Sequence, residues 1–526
     1  MHLFHPIYLE VAVVLFGLAL LMADAFAENV EKKSLAYAGA IGLAIIFAAS
    51  FFAYGSPTPV AVDVPPQPGY LAFYSSDALA MFFKRFALVT TIVVLIMSVE
   101  YLPVLRRFTP GETAQGGLGE FFCLPIFTCA GLMWMASAID FVMIFVSLEL
   151  VTISFYVLVA YTRRNAASLE AGVKYLILGA LSTGFLVYGI TWVFGVTGET
   201  NLARIGAALS RMDPTANHAP VLFAFTLVLV ALGFKVAAVP FQIWVPDVYQ
   251  GAPTPITAFL SVGSKAAGFV VLLRVLEPFL AQPFLAPKVT SIVAVVAGAT
   301  LIYGNLAALP QNNLKRLLAY SSIAHAGYLL MAVASLGGAA RTHGDAFAVE
   351  NVSFTAGSAL AFYLAGYLLM TLLAFMILVV VANHTGGDDL AHFNGLARRS
   401  PFLAGGMLIA MLSLAGLPLT VGGFGKFFIF TVTLEPHLRV LNWVAAIGVV
   451  TVACGFYYYL KVVRAMYFQP APEGFADKID APALVDFFVS ALAALIIVLG
   501  VYPKPALDSL KETLPPVPAV TSADAP

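Results

Sequence analysis

The sequence predicts an all-α polytopic membrane protein with about fourteen transmembrane helices. Three observations carry that prediction. Of 526 residues, 61% are hydrophobic and only 10% are charged, whereas a soluble domain is nearer a quarter charged. The mean hydropathy is +0.92. Fourteen apolar runs each approach the ~20 residues needed to cross a bilayer core. The net charge of −1, without long basic or acidic stretches, gives no support for nucleic-acid binding or for a polybasic membrane-surface patch.

The runs span approximately 6–23, 35–54, 78–100, 118–138, 140–161, 171–194, 219–240, 255–277, 288–308, 316–337, 355–382, 401–418, 438–466 and 482–502. Each is apolar all round, as lipid-embedded helices require. The first ends in Ala23-Asp24-Ala25-Phe26-Ala27, which mimics a signal cleavage site. It lacks a basic flank and precedes more than a dozen further spans, so it reads as a first transmembrane helix. Only Ile139-Asp140 separates runs four and five, which predicts a tight hairpin.

Runs seven and twelve are interrupted. Run seven reaches Pro240 and resumes from Phe241 to Tyr249, and run twelve contains Gly416-Leu-Pro-Leu-Thr-Val-Gly-Gly-Phe-Gly425. Proline removes a helix donor, and broken backbone at membrane depth persists only where protein or a water-filled cavity satisfies it. Two broken helices five runs apart, each with a lysine, predict two structural repeats. The resulting division is an N-terminal three-helix segment (1–117), a first repeat (118–277), a second repeat (288–466), and a C-terminal helix and tail (467–526).

Basic residues set the orientation. Lys32-Lys33, Arg106-Arg107, Arg163-Arg164, Lys315-Arg316 and Arg398-Arg399 all fall in odd-numbered loops. With Lys461, Arg464 and Lys478, odd loops hold thirteen Lys/Arg against eight in even loops and the tail. Odd loops are therefore placed in the cytoplasm and both termini on the far side. Lys84-Arg85, early in run three, is the exception and is expected to snorkel outward.

Glu149, Lys235, Lys265 and Lys426 lie inside apolar runs. A charge at the bilayer centre costs about 2.5–3.5 kcal/mol, so four cost on the order of 10 kcal/mol. Such groups mark ion or proton paths unless they are static ties. Glu149 sits mid-run five and reads either as a proton carrier or as a protonated carboxyl tying helices together. Lys235 lies just before the break in run seven. Burial disfavours its ammonium and a nearby carboxylate favours it. Moving Glu149 towards or away from it would load or eject a proton, whereas a permanent ion pair would do neither. Lys265, flanked by small residues, is ~15 Å from either end of run eight, too deep to snorkel. Lys426 follows the break in run twelve and reads as a fourth station or as a cation held by freed carbonyls. His325 in run ten can donate and accept, with Tyr320, Ser321 and Ser322 extending the chain, or can be a buried structural histidine. Lys174 is near the cytoplasmic end of run six, where snorkelling explains it equally well. Glu170, Asp247 and Lys315 stand at loop boundaries and read either as entry points or, more simply, as solvated helix ends. Cys123, Cys129 and Cys454 form no CxxC or Cys/His cluster, and there is no dinucleotide fingerprint, P-loop or haem-type histidine pair.

Several stretches resemble the antiporter-like subunits of respiratory complex I, most nearly the N type of bacterial NADH:quinone oxidoreductase. They are Leu148-Glu-Leu150, Ser168-Leu-Glu-Ala-Gly-Val-Lys-Tyr175, Leu232 to Pro255, Asn312 to Tyr328 and Ser413 to Lys426. The resemblance covers nearly the whole chain. It implies that the two five-helix repeats, helices 4–8 and 9–13, are inverted. It also implies a proton-translocating unit in which Glu149 pairs with Lys235, and Lys265 bridges to Lys426, which opens to the far side. NADH, FMN, iron–sulfur clusters and quinone would belong to partner subunits, and this chain would bind none of them. Its partners would be M-like and L-like antiporter subunits, small K-like and J-like subunits, and membrane lipid of the bacterial inner membrane. Glutamate occupies the Lys426 position in M types, and L types add a long lateral helix, so this chain is closer to the N type. Two rivals remain: a subunit of a multi-subunit cation/proton antiporter, and a structural subunit whose charges are static ties.

Overall fold

Each apolar run becomes a helix because backbone in hydrocarbon must satisfy its own polar groups. The computed structural model of the chain describes residues 4–26, 31–53, 72–108, 118–339, 346–474 and 478–511. Among these, thirteen helices are long and apolar enough to cross a membrane. Two shorter apolar helices form the halves of a fourteenth. In chain order they are α1 (Ile7–Phe26), α2 (Lys32–Ala49), α3 (Ala78–Glu100), α4 (Gly119–Ser137), α5 (Phe141–Val159), α6 (Ala166–Thr197) and α7 (Ala219–Val236). There follow α8 (Thr254–Leu280), α9 (Ala286–Ala308), α10 (Leu314–Ala339), α11 (Ala346–Thr385), α12 (Pro401–Ala415 and Val421–Leu434), α13 (Arg439–Phe468) and α14 (Ala483–Val501). Ala27 of the cleavage-site-like motif and residues 512–526 of the tail lie outside the described residues.

Local chemistry sets the helix ends. Asp77, Asp140 and Asn165 accept from backbone N–H groups in the first turns of α3, α5 and α6, which satisfies donors a helix start leaves open. Asp140 lies in the predicted tight turn between α4 and α5 and also accepts from Thr200 Oγ1 at 2.8 Å. The break in α7 comes earlier than Pro240. The helix stops at Val236, Ala237 adopts φ 66°, and a short helix resumes at Val245–Gly251. The freed Val239 N–H donates to Thr300 Oγ1 of α9 at 3.0 Å, so protein re-satisfies the broken backbone. In α12 the first half ends where Gly416 takes φ 95°, a conformation glycine adopts without steric cost. A third irregularity was not predicted: Leu260–Ser264 of α8 form a π-helical turn directly before Lys265.

Burial sorts the helices. α8, α10 and α11 are enclosed almost entirely, whereas α1, α2, α6, α13 and α14 bury about a third or less of their span. α3 packs against α2, α4, α8 and α11, joining the N-terminal segment to the centre. Glycines permit the closest approaches. A Cβ on Gly304 of α9 would lie 2.5 Å from the Ala324 backbone nitrogen of α10.

Lys84 does not snorkel. It is fully buried, pairs with Glu10 of α1 at 2.8 Å and donates to Tyr74 Oη at 2.5 Å. An ion partner across the α1–α3 contact removes the need to reach the interface. Arg85 stays at the edge, with its guanidinium 4.3 Å from the Phe51 ring and its donors on Ser50.

Candidate proton path

The first of the candidate residues lies on α5. Glu149, half-buried, accepts at Oε1 from Thr183 Oγ1 of α6 at 2.7 Å. Lys235, buried at the last turn of α7, donates to Thr152 Oγ1. Thr152 lies three residues after Glu149, hence on the same face of α5. The acid and the ammonium thus stand on neighbouring threonines rather than in direct contact; no ion pair within 4 Å joins them. In this arrangement Thr183 holds the acid and Thr152 the ammonium.

Gly268 lets α7 and α8 approach closely between Lys235 and Lys265. A Cβ there would lie 3.4 Å from Lys235 Cβ and 3.0 Å from Val236 Cγ1, so the two backbones nearly touch one turn from Lys265. Lys265 is buried and donates to both Ser322 O and Ser322 Oγ of α10. Tyr249, on the short helix after the α7 break, meets Ser322 Oγ at 3.2 Å. Tyr367 of α11 donates to the same oxygen at 3.0 Å and meets Ser261 Oγ at 2.8 Å.

One turn along α10, His325 contacts Tyr363 Oη at 2.6 Å through Nδ1 and Tyr459 Oη at 3.2 Å through Nε2. Tyr459 also bonds Ser321 Oγ. The Tyr363 ring packs on Gly425, where a Cβ would lie 2.8 Å from its Cδ2, and Gly425 adjoins Lys426. Lys426 is buried and donates to Leu414 O at 2.9 Å and Ala415 O at 2.8 Å. These are the carbonyls freed by the break at Gly416, so the second reading of Lys426 describes its resting contacts. Its Nζ lies 5.1 Å from the Tyr328 ring centroid.

A half-exposed cluster stands at the end of α6. Lys174 pairs with Glu170 and Asp247, each at 2.7 Å, and Asp247 with Arg316 at 2.8 Å. Burial alone would raise the Asp247 carboxyl. Its bonds to Lys174 and Arg316 hold it below the usual carboxylate range. The structure therefore joins Glu170 and Asp247 to Lys174 instead of leaving them as separate helix ends. Lys315 is not solvated either: it is buried, donating to Ala252 O at 2.8 Å with Asp388 3.7 Å away. Tyr320 leaves the His325 chain and lies 6.0 Å from the Arg316 guanidinium.

Thr152, Thr183, Tyr249, Tyr363, Tyr367 and Tyr459 were not singled out in the sequence. Thr152 could have been found by its helical spacing from Glu149. The tyrosines could not, since His325 and Tyr459 are 134 residues apart.

Residues 138–454 match the family model described as NADH:quinone oxidoreductase/Mrp antiporter, TM. A curated relative from Koribacter versatilis, NADH-quinone oxidoreductase subunit N 2, is 41% identical over 470 residues, covering 88% of this chain and 87% of its own length. The chain belongs to the subunit N family. Within that family, subunit N of Dehalococcoides mccartyi is 35% identical over 517 residues, 97% of this chain and 99% of its own. A chain of respiratory complex I from Thermus thermophilus is 30% identical with a TM-score of 0.74, and the match covers 96% of this chain and 99% of that one. The fourteen-helix fold expected of the subunit N family is the fold observed.

Proposed function

We propose that Glu149, Lys235, Lys265, His325 and Lys426 carry protons through a membrane-arm subunit of NADH:quinone oxidoreductase, with Lys174 at the entry side. One observation carries this reading. From Lys265 to Tyr363, hydroxyl and imidazole groups form two adjoining hydrogen-bonded sets inside the protein, between the two central lysines. A neutral imidazole donates from one nitrogen and accepts at the other, and a phenol or serine hydroxyl does both. Each can therefore pass a proton and return to its starting state.

The chain is a multi-pass membrane protein and a subunit of a translocase. Oxidation of NADH by FMN, iron–sulfur clusters and quinone is assigned to partner subunits. Those partners are M-like and L-like antiporter subunits and small K-like and J-like subunits. The membrane is the bacterial inner membrane, with both termini on the periplasmic side. Helices α4–α8 and α9–α13 are two inverted repeats, and each contributes one broken helix and one lysine beside the break.

The load-and-release step follows from the threonine-separated pair. Drawing Glu149 towards Lys235 stabilises the ammonium, and letting it return to Thr183 favours proton release onward to Lys265. The multi-subunit antiporter is the alternative. The full-length identity to subunits named for NADH-quinone oxidoreductase favours the respiratory reading.

Lys235→Ala tests the function. The assembled complex should retain the chain yet lose pumping-coupled turnover. A near-normal proton-to-electron stoichiometry in that variant would overturn the proposal. Flavin and iron–sulfur absorbance should also travel with the chain on purification, which an antiporter subunit would not show.

A further inference from the structure

Glu149 and the half-exposed Lys174 cluster are separated by two tyrosines whose hydroxyls have no hydrogen-bond partner among the described residues. Tyr156 lies seven residues after Glu149 on α5, two turns along the same face. Tyr175 follows Lys174 on α6 and is wholly enclosed. Both hydroxyl oxygens are shielded and unpartnered among the described residues. The rings meet edge to face with centroids 5.2 Å apart.

The surrounding residues hold the pair in place. Tyr175 lies 4.9 Å from Trp244 and 6.1 Å from Phe234, and Trp244 Nε1 donates to Phe234 O, beside Lys235, at 3.1 Å. Gly179 of α6 leaves the space that the Tyr156 hydroxyl fills. A Cβ there would meet that oxygen at 2.2 Å. Tyr175, Gly179 and Thr183 form one helical stripe on α6, and Glu149, Thr152 and Tyr156 form a stripe on α5. The α6 stripe starts one residue from Lys174 of the half-exposed ion cluster, and the α5 stripe ends at the Glu149 carboxylate.

We propose that Tyr175 and Tyr156, bridged by water, are the proton-entry relay from the Lys174–Asp247 cluster to Glu149. Buried hydroxyls in native proteins are satisfied by protein or ordered water, and these two have no protein partner among the described residues. In each hop a hydroxyl oxygen binds the incoming proton and releases its own to the next water or to the Glu149 carboxylate. Both phenols end neutral, and one proton moves from the aqueous side to Glu149, with water as the only co-reactant.

This inference rests on the relay reading above, and the test separates the two. Lys235→Ala, Tyr175→Phe and Tyr156→Phe/Tyr175→Phe complexes are compared for proton pumping in sealed vesicles. Phenylalanine keeps the ring packing and removes only the hydroxyl. The double variant should assemble normally and pump on the order of 10-fold slower, less than the 10²–10⁴ typical of a positioned acid–base group because added water replaces part of the route. Its solvent deuterium isotope effect on turnover should rise, a readout that a purely structural role would not move. If Lys235→Ala pumps normally, the relay reading itself fails. If Lys235→Ala is dead while the double variant pumps at the wild-type rate, the entry proposal alone is overturned. Should the phenylalanine variants lower complex content, Gly179→Ala gives the independent arm, because its Cβ would displace the Tyr156 hydroxyl and the adjoining ring edge while leaving Tyr175 unchanged. The same slowing is expected there, and wild-type pumping would again overturn the proposal.

Discussion

Aspartate 77 shows how single residues anchor this molecule. It caps α3 and accepts from both terminal nitrogens of Arg274 on α8 at 2.9 and 2.8 Å. Burial alone would raise its carboxyl, but the Arg274 guanidinium overrides that and holds it below its ordinary value of 3.8. A depressed folded value means the pair's stability is fully present above 3.8 and is lost only as pH falls through the lower folded value. Asp77→Asn leaves a buried guanidinium uncompensated and should destabilise the chain by about 3–5 kcal/mol. In thermal unfolding of the detergent-solubilised complex, the gap from wild type should stay constant between about pH 5 and pH 8. A gap that closes on acidification within that window would contradict the assignment. The sequence disclosed the charges along the path, because a buried charge is costly wherever it stands in an apolar run. It did not disclose their partners. Lys84 looked like a snorkelling residue because Glu10, 74 positions away, is invisible to local reading.

Helices were the most legible scale. Span count followed from bilayer thickness, and the breaks in α7 and α12 followed from proline and glycine at membrane depth. The π turn at Leu260–Ser264 was not legible, since Leu-Ser-Val-Gly-Ser has no breaker stronger than one glycine. It widens α8 next to Lys265, where such turns often accompany functional sites. The α9–α10 contact depends on Gly304, where a Cβ would lie 2.5 Å from Ala324 N and 2.9 Å from Ala324 Cα, and backbone atoms cannot rotate aside. Gly304→Ala should destabilise the pair by about 1–3 kcal/mol. It should also shift His325, which adjoins Ala324. Reduced complex content together with slowed pumping is the expected result, and unchanged thermal stability would show that the helices part freely.

Across the whole molecule, the fold places its most enclosed helices, α8, α10 and α11, around Lys265, His325 and Tyr367, and leaves the α5–α6 face partly open beside Glu149. One end of the proposed path is therefore near the surface, and the other is enclosed against the broken α12. This gradient could not be read from composition, because lipid-facing and protein-facing helices are equally apolar. It emerges only when the aromatic and hydroxyl side chains of α10, α11 and α13 converge. The most direct test of the central claim is a map of the intact complex at a resolution that shows ordered water. The account predicts a hydrated link from Glu149 past Lys235 and Lys265 to Lys426. Hydrocarbon packed continuously between those side chains, with no water joining them, would contradict it.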